Sequence, residues 1–187
     1  MQVKELKILN MTNPLGIDIR PYFSWIMESN EPGTVQTAYS VLVKSGGSVV
    51  WDTGKVESNN NSFVSYEGEA LQSRCRYSVN VTVWDNHGNE ASGDAWFETA
   101  QLSFEDWSAQ WAESPIRRKK GKPGFGKQEP ATMFRKTFTL HKKPVKARVY
   151  ATCHGIYELS VNGQRVSGRY FAPEHTVYEK YLSYQTY

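Results

Sequence analysis

The sequence predicts an all-β protein that opens with an immunoglobulin/fibronectin type III-like sandwich. Apolar and polar residues alternate with period two in short segments, clusters of Gly, Asn, Asp and Ser separate these segments, and helical periodicity is nearly absent. Each segment therefore has one apolar and one polar face, as two packed sheets require. Seven such segments occur in the first hundred residues, which is the strand number of this sandwich.

The clearest strand is predicted at residues 75–84, where Tyr77, Val79, Val81 and Val83 share one face. The other six are predicted at residues 3–9, 20–27, 36–44, 48–51, 62–66 and 95–99. The Cys-Trp-Cys pattern of antibody domains is missing, which favours the fibronectin-like variant. We expect Trp25 to be the buried aromatic residue and Tyr77, which opens a late strand, to form a tyrosine corner.

The character of the chain changes after Thr99, and we place a domain boundary near residue 102, giving domains 1–102 and 103–187. Phe104, Trp107 and Trp111 follow the boundary and are expected to pack between the two domains or to cap the first. Residues 116–130 combine Lys and Arg with Gly and Pro, a composition that cannot build a core. A solvated basic loop is the expected structure there, and a polyanion site is the alternative.

Strands are predicted to resume at residues 132–140, 145–152 and 155–161, with Tyr157, Leu159 and Val161 facing inward. Asn162 and Gly163 then indicate a tight hairpin, because both central residues of a type I′ turn need positive φ. Four or five strands are few for a second sandwich, so we expect this domain to be incomplete. Its unpaired sheet edge would be open to homo-oligomerisation.

Composition and charge exclude several functional classes. The 187 residues carry 22 Lys and Arg against 19 Asp and Glu, a net charge of +3 that is too small to indicate a nucleic-acid binder. No run of 18 apolar residues predicts a membrane span, and no apolar signal segment follows the first residues. We therefore expect no nucleic-acid or membrane partner and a cytoplasmic location.

The cysteines and histidines do not suggest a metal or cofactor site. Cys75 and Cys153 are far apart and outside any CxxC pattern, so reduced, buried thiols are expected. The histidines lack metal-ligand spacing, and they are His87, His141, His154 and His175. No metal, cofactor or disulfide is predicted.

Catalytic chemistry also lacks a clear candidate. The neighbouring carboxylates Glu105 and Asp106, and the pair Glu174 and Glu179, fall in predicted loops with no local cause for split pKa values. Aromatic residues make up 13% of the chain and could stack on sugar rings, but all-β cores use many aromatics as well. No catalytic residue is assigned, and the substrate-binding residues stay unknown.

Two ordered sets of short blocks resemble the N-terminal region of bacterial α-L-rhamnosidases. The first set comprises residues 21–25 (PYFSW), 36–39 (QTAY), 51–56 (WDTGKV), 97–99 (FET) and 106–107 (DW). The second set comprises residues 134–138 (FRKTF), 155–163 (GIYELSVNG) and 184–187 (YQTY). The first is similar to the family's leading fibronectin-like domain and the second to the start of its jelly-roll domain.

The resemblance implies a fold and a parent activity. It implies a fibronectin-like sandwich followed by an incomplete jelly-roll-like β-sandwich, as the N-terminal segment of a glycoside hydrolase acting on terminal α-L-rhamnose. Enzymes of this family carry their catalytic carboxylates on a downstream (α/α)6 barrel, which is absent here, so the chain alone is expected to be non-catalytic. The implied partner is that barrel. A stand-alone module for carbohydrate binding or adhesion, with a rhamnose-containing glycan as ligand, is the alternative.

Overall fold

The computed structural model describes residues 1–115 and 131–187, so the predicted basic loop at residues 116–130 lies outside the described residues. The chain divides into two compact units, one of residues 1–107 with 148–187 and one of residues 108–147. Within the described ranges, no helix is long and apolar enough to cross a membrane.

The first unit contains a five-stranded antiparallel sheet, in which β4, β3, β7 and β8 are neighbours and β5 also pairs with β3. Its strands are β3 (Gln36–Ser45), β4 (Ser48–Asp52), β5 (Val56–Glu57), β7 (Arg76–Asp85) and β8 (Glu90–Glu98). Val41 and Val43 on β3 pair with Val81 and Val79 on β7. Because alternate residues share a face, these valines form one continuous apolar row across the sheet.

A second antiparallel sheet, in the order β1-β2-β6, packs its apolar face against the first. Its strands are β1 (Gln2–Ile8), β2 (Tyr22–Glu28) and β6 (Val64–Ser65). β1 has a bulge between Lys4 and Lys7, and Glu5 in this bulge has a φ of +46°. Leu6 and Ile8 after the bulge are both buried in the core.

The core between the two sheets confirms the predicted faces. Tyr77, Val79, Val81 and Val83 are all at most 2% exposed. Trp25 is 3% exposed and donates from its indole Nε1 to Gln36 Oε1 at 2.9 Å, which satisfies the one polar atom of the buried ring. All seven predicted strands occur with boundaries shifted by up to five residues, and the structure adds the two-residue strand β5, which was not predicted.

The predicted tyrosine corner at Tyr77 is also confirmed. The backbone N–H of Gln72, five residues upstream, donates to the Tyr77 hydroxyl at 2.8 Å. The ring of Tyr77 stacks on Phe97, with the centroids 4.9 Å apart. Burial is the largest cause acting on the pKa of this hydroxyl and raises it. Tyr77 therefore stays a neutral hydrogen-bonding partner.

Residues 148–187 contain three short antiparallel pairs and no continuous sheet. They are β9 (Tyr150–Ala151) with β14 (Gln185–Thr186), β10 (Ile156–Tyr157) with β13 (Ala172–Pro173), and β11 (Ser160–Val161) with β12 (Gln164–Arg165). The hairpin prediction is confirmed, because Asn162 and Gly163 have φ values of +52° and +81° between β11 and β12.

Other strand predictions in this half were wrong in extent. Residues 145–152 contribute only β9, and residues 155–161 are divided into β10 and β11. Val161 is 47% exposed, whereas Tyr157 and Leu159 are half-buried, so the three residues do not form one inward row. The ladder needed to keep such a row in register is missing, since each pairing here extends over only two residues.

The second unit, residues 108–147, has no strand in its described part, and the strand predicted at residues 132–140 is absent. The alternation that predicted it is present in the sequence. A strand also needs a neighbour for its backbone groups, and residues 133–140 have no hydrogen-bond partner among the described residues.

Candidate functional site

The densest set of specific polar and aromatic contacts outside the core lies where the sandwich meets residues 148–187, within the first unit. We call this region the seam and define it by Gly16, Glu98, Gln101 and Trp107 on the sandwich side and by Arg148, Tyr184 and Thr186 on the other. β8 ends at Glu98, and this strand end places the carboxylate at the seam.

Glu98 and Arg148 form a bidentate ion pair at the centre of the seam. Arg148 Nε donates to Glu98 Oε2 at 2.8 Å and Nη2 donates to Oε1 at 3.0 Å. The Glu98 side chain is 4% exposed and that of Arg148 is 25% exposed. The hydrogen bond to Glu98 raises the pKa of the guanidinium, so Arg148 stays charged across the physiological range.

Arg76 supports the same carboxylate from within the sandwich. Its Nη1 lies 3.8 Å from Glu98 Oε1, and its guanidinium carbon lies 3.8 Å from the centre of the Trp96 ring. The ring therefore holds the arginine by a cation–π contact. Glu98 is thus held between two cations, which offsets the cost of burying its charge.

Tyr184 ties the chain after β8 to the C-terminal residues. Its hydroxyl accepts from the backbone N–H of Gln101 at 2.9 Å and donates to the carbonyl of Gln101 at 3.2 Å. The Trp107 ring meets the Tyr184 ring edge to face, with the centroids 5.1 Å apart. Burial is the main cause that raises the pKa of Tyr184, which keeps its hydroxyl available as a donor.

The backbone of Gly16 lies close to the side chain of Thr186 in the seam. Gly16 has a φ of +70°, and a Cβ added there would lie 2.6 Å from Oγ1 of Thr186. Glycine fits here because it adopts this positive φ readily and has no Cβ that would clash with the side chain of Thr186. Of the aromatic group after residue 102, Trp107 contacts Tyr184, whereas Phe104 is 87% and Trp111 is 65% exposed.

The carboxylates considered from sequence serve local structure. Asp106 ends a 3-10 turn (Phe104–Asp106), accepts from the backbone of Ser103 and accepts from the hydroxyl of Ser73. The Ser73 hydrogen bond is the leading cause that lowers the pKa of Asp106. Ser103 caps the same turn and donates from its hydroxyl to Glu105, and Glu174 accepts from the hydroxyl of Ser183. The structure gives neither pair an opposed arrangement around a shared space.

The thiols and imidazoles are likewise engaged locally. Cys75 and Cys153 are free, as expected, but both are half-buried where full burial was predicted. His154 stacks on Tyr178 with the centroids 4.5 Å apart, and His175 Nδ1 lies 3.1 Å from the Tyr178 hydroxyl. No group of three metal-ligating side chains occurs within residues 1–115 and 131–187.

Concave surfaces among the described residues include a groove on the first sandwich and a small cavity near the C-terminal residues. One is a shallow groove of about 270 Å³ on the outer face of the five-stranded sheet, between Leu42 and Lys44 on β3 and Asp94 on β8. Asn80 in its floor donates to Asp94 at 2.9 Å. The other, beside Tyr157 and Arg165, holds about 10 Å³, room for one water molecule.

The seam was not predicted from the sequence. Glu98 lies 50 residues before Arg148, and no local pattern links a carboxylate at a strand end to a distant arginine. The one available signal is Glu98 itself, a charged residue between the apolar Phe97 and the threonine that follows in a strand with a buried face.

Family models match two parts of the chain. The model described as "Rha78A-like, N-terminal immunoglobulin domain" matches residues 3–103. The model described as "Alpha-L-rhamnosidase N-terminal domain" matches residues 142–187. The division into domains 1–102 and 103–187 stays a proposal, because the compact units divide the chain elsewhere.

Curated relatives and solved structures match nearly the whole chain. An α-L-rhamnosidase of Formosa agariphila is 32% identical over 94% of this chain, and one of Streptomyces avermitilis is 32% identical over 89%. The α-L-rhamnosidase structure from Dictyoglumus thermophilum has a TM-score of 0.81 and 32% identity over 99% of this chain and 23% of its own. That from Aspergillus terreus has a TM-score of 0.78 and 26% identity over 100% of this chain and 21% of its own.

The curated relatives match nearly all of this chain, but the chain corresponds to only a small part of each relative. The chain spans 21% of the length of the Formosa agariphila protein and 18% of that of the Streptomyces avermitilis protein. One family model covers more than half of the chain, over the residues that form the two packed sheets. This chain therefore belongs to the family of Rha78A-like N-terminal immunoglobulin domains.

Proposed function

We propose that this chain is the non-catalytic N-terminal β-sandwich segment of an α-L-rhamnosidase, a glycoside hydrolase acting on terminal α-L-rhamnose. The observation that carries the proposal is the coverage: relatives of this name match 89% to 94% of the chain, which spans only about a fifth of them. The remaining four fifths of such a protein have room for a catalytic domain, and the proposed partner is an (α/α)6 barrel within them.

The seam supports a scaffolding role. A bidentate ion pair, a tyrosine bonded to backbone and a close glycine contact fix residues 148–187 on the sandwich. A charged pair with one nearly buried partner has a narrow range of acceptable geometries, so it fixes orientation. The sandwich would thereby give the parent enzyme a fixed platform from which the chain continues.

The site geometry is consistent with this role. Inverting hydrolysis needs an acid and a base on opposite sides of the scissile bond, roughly 6.5 to 9.5 Å apart. Asp106 serves a turn cap, Glu174 accepts from a serine hydroxyl and Glu98 forms an ion pair. We therefore assign the proton transfers of the parent reaction to residues outside this chain.

The test compares the purified chain with the parent polypeptide in hydrolysis of p-nitrophenyl α-L-rhamnoside. We expect release of nitrophenol by the parent and none above the buffer rate by the chain alone. Turnover by the chain would overturn its non-catalytic role. Absence of turnover by a folded parent would overturn the assignment to rhamnoside hydrolysis.

A second measurement separates scaffolding from stand-alone carbohydrate binding. Isothermal titration of the chain with L-rhamnose, with and without calcium, is expected to give only heats of dilution. Saturable heat would favour a carbohydrate-binding or adhesion module instead. Light scattering on the same sample checks the proposed edge-mediated homo-oligomer against a monomer.

A further inference from the structure

Phe63 combines two unfavourable features at the outer face of the three-stranded sheet. Its φ is +54°, a conformation that a bulky residue adopts only under constraint, and its side chain is 64% exposed. Glycine or asparagine would adopt the same backbone at a lower steric cost. Backbone strain of this kind clusters where proteins hold ligands, so its combination with exposure indicates a role for the ring beyond folding.

The backbone around Phe63 is fixed on both sides. The carbonyl of Asn61 accepts from the backbone N–H of Trp25 at 2.9 Å. The N–H of Phe63 itself donates to the hydroxyl of Ser24 at 3.0 Å. Val64, the next residue, begins β6 and is buried. Because these contacts hold the positive φ in place, the ring has a defined position before any ligand binds.

A second ring and three polar side chains adjoin Phe63 or its supporting contacts. We call these residues the Phe63 patch, and they are Asn10, Tyr22, Asn61, Ser62 and Phe63. The rings of Tyr22 and Phe63 are in contact, with centroids 5.0 Å apart. Asn10 Nδ2 donates to the Tyr22 hydroxyl at 3.0 Å. The Ser62 hydroxyl donates to Asn61 Oδ1 at 3.0 Å. Asn10 Oδ1 and Asn61 Nδ2 have no hydrogen-bond partner among the described residues, so both are open to a ligand.

The patch is neutral, which restricts the chemistry of its ligand. No side chain of the patch carries a charge. Lys7, which the register of β1 and β2 places beside Ser24, is paired with Glu5 at 3.6 Å. The patch therefore offers no cation of its own to a phosphate, sulfate or uronate. An aromatic ring with amide and hydroxyl groups at its rim suits a neutral saccharide, whose C–H face packs on the ring while its hydroxyls bond to the rim.

The apolar area of the patch is small for a protein partner. A whole aromatic side chain offers about 150–250 Å², whereas a stable interface buries roughly 800 Å² on each partner. Tyr22 is half-buried, which reduces the area further. Ile26 on the same face is exposed, but Lys4 and Glu28 beside it form an ion pair at 3.7 Å. The size of the apolar surface therefore favours a small ligand.

We propose that the Phe63 patch is a saccharide-binding site, at which a pyranose ring of a neutral, rhamnose-terminated glycan stacks on Phe63 and bonds to the open amide groups at the rim. The choice of a rhamnose-terminated glycan rests on the proposed function. The site itself rests on the geometry of residues 10–64. The patch would hold the glycan on the scaffold while hydrolysis takes place elsewhere in the parent polypeptide, so the chain keeps its non-catalytic role.

An NMR titration of the isotope-labelled chain with rutinose, a neutral disaccharide that ends in α-L-rhamnose, tests the site. We expect saturable shifts of the backbone amides of residues 61–64 and of the Asn10 side-chain amide, while amides of β7 in the other sheet keep their positions. Free L-rhamnose has one ring, covers less of the patch and is expected not to saturate it, in line with the calorimetric expectation above.

D-Sorbitol is the matched control ligand, because it has hydroxyl groups and no ring. At the same concentration it is expected to cause no saturable shift. Absence of saturable shifts with rutinose would overturn the proposal. Equal shifts with sorbitol and rutinose would also overturn it, because stacking of a sugar ring would then not be required.

Variants of Phe63 separate ligand binding from folding. Phe63→Asn suits the positive φ and removes the ring, so the midpoint of urea unfolding should not fall, while binding of rutinose should weaken about tenfold. Phe104→Ala removes an exposed ring in the 3-10 turn and is the matched control, with binding expected to equal that of the wild type. Binding of rutinose by Phe63→Asn as tightly as by the wild type would contradict the proposal.

Asn10→Gly tests the rim independently of the ring. Asn10 has a φ of +60°, which glycine also adopts, so this variant removes an open amide without adding backbone strain. Loss of one hydrogen bond is expected to weaken rutinose binding about fivefold. Unchanged binding in Asn10→Gly would remove the rim from the site and overturn the proposal as stated.

Separate readouts distinguish this site from the proposed function. Hydrolysis of p-nitrophenyl α-L-rhamnoside by the parent tests the enzymatic assignment alone. An active parent whose N-terminal chain does not bind rutinose would overturn only the saccharide site, and binding by the chain with an inactive parent would overturn only the rhamnosidase assignment. A dimer that Phe63→Asn abolishes in light scattering would overturn the saccharide site and identify a second copy of the chain as the occupant.

Discussion

Asp85 shows how one side chain organises the turn between β7 and β8. Its carboxylate accepts from the backbone N–H groups of His87 and Asn89 at 2.9 and 2.8 Å, and from Asn89 Nδ2 at 3.0 Å. Burial by itself disfavours the charged form, but these hydrogen bonds together outweigh it and lower the pKa of Asp85. The turn is therefore tied to the ionised carboxylate.

The lowered pKa predicts a pH-dependent loss of stability on acidification. The contribution of Asp85 is present above the pKa of the unfolded chain and is lost as the pH falls through the lower pKa of the folded protein. Asp85→Asn should therefore be less stable than the wild type at neutral pH, and the difference in the free energy of unfolding should narrow as the pH falls from neutral to below the ordinary pKa of an aspartate.

Urea unfolding monitored by tryptophan fluorescence across this pH range measures the difference. Asp18→Asn, at an exposed aspartate, is the control and should follow the wild-type protein. A constant difference between Asp85→Asn and the wild type at every pH would contradict the role given to the ionised carboxylate.

Individual residues also mark the limit of prediction from sequence. Trp25 and Tyr77 were predicted correctly because their environments follow from strand order and local spacing within one sandwich. Glu98 and Arg148 were not predicted, because the pairing depends on how residues 148–187 lie on the sandwich. The periodicity of a sequence indicates local secondary structure, so it does not reveal an ion pair between residues this far apart in the chain.

The β11–β12 hairpin is the best-defined element of residues 148–187. Its two-residue loop has both central φ values positive, and Val161 pairs with Gln164 beside it. An L-residue with a side chain at the Gly163 position is disfavoured by roughly 1 kcal/mol. The hairpin carries few other interactions, so a local cost of this size is expected to open it.

Gly163→Ala should therefore raise the exchange rates of amides in β11 and β12 while the midpoint of global urea unfolding stays unchanged. Gly168→Ala, in the same region and without a positive φ, is the matched control. The expectation is wrong if both variants exchange alike, or if Gly163→Ala shifts the unfolding of the whole sandwich.

Strands were predicted well where the chain itself supplies the neighbours. The predicted bounds of β3 and β7 differ from the observed bounds by one residue at most. The two strands pair at nine positions, so each has a neighbour that satisfies its backbone groups. The alternation in residues 132–140 is equally clear, but no described strand pairs with it. Sequence periodicity thus indicates which face a strand would bury, while its formation depends on a partner.

The whole molecule depends on the seam to hold residues 148–187 on the sandwich. Removing Arg148 would leave Glu98 nearly buried without its bidentate partner, while Arg76 lies 3.8 Å away. Breaking a fully buried pair costs 3–5 kcal/mol in other proteins, and the partial exposure of Arg148 reduces this to about 2 kcal/mol.

Arg148→Ala should therefore release the C-terminal residues before the sandwich unfolds. We expect faster chymotrypsin cleavage within residues 148–187, where tyrosines are frequent, and a resistant fragment that retains residues 1–107. Arg165→Ala removes the more exposed pair with Glu158 and is the control, with an expected cost below about 1 kcal/mol. Equal cleavage of both variants would show that Arg148 does not hold the two parts together.

The segment around Pro14 and Ile17 is bonded to the end of β8 and the residues that follow it. Glu98 N donates to the carbonyl of Pro14, Ile17 N to that of Glu98, and Ala100 N to that of Ile17, so a neighbouring stretch of the same chain occupies this rim of the five-stranded sheet. The hydrogen-bonding groups along that rim are therefore not available to pair with another polypeptide. Crowded solutions should therefore not seed cross-molecular fibrils from this corner of the sandwich.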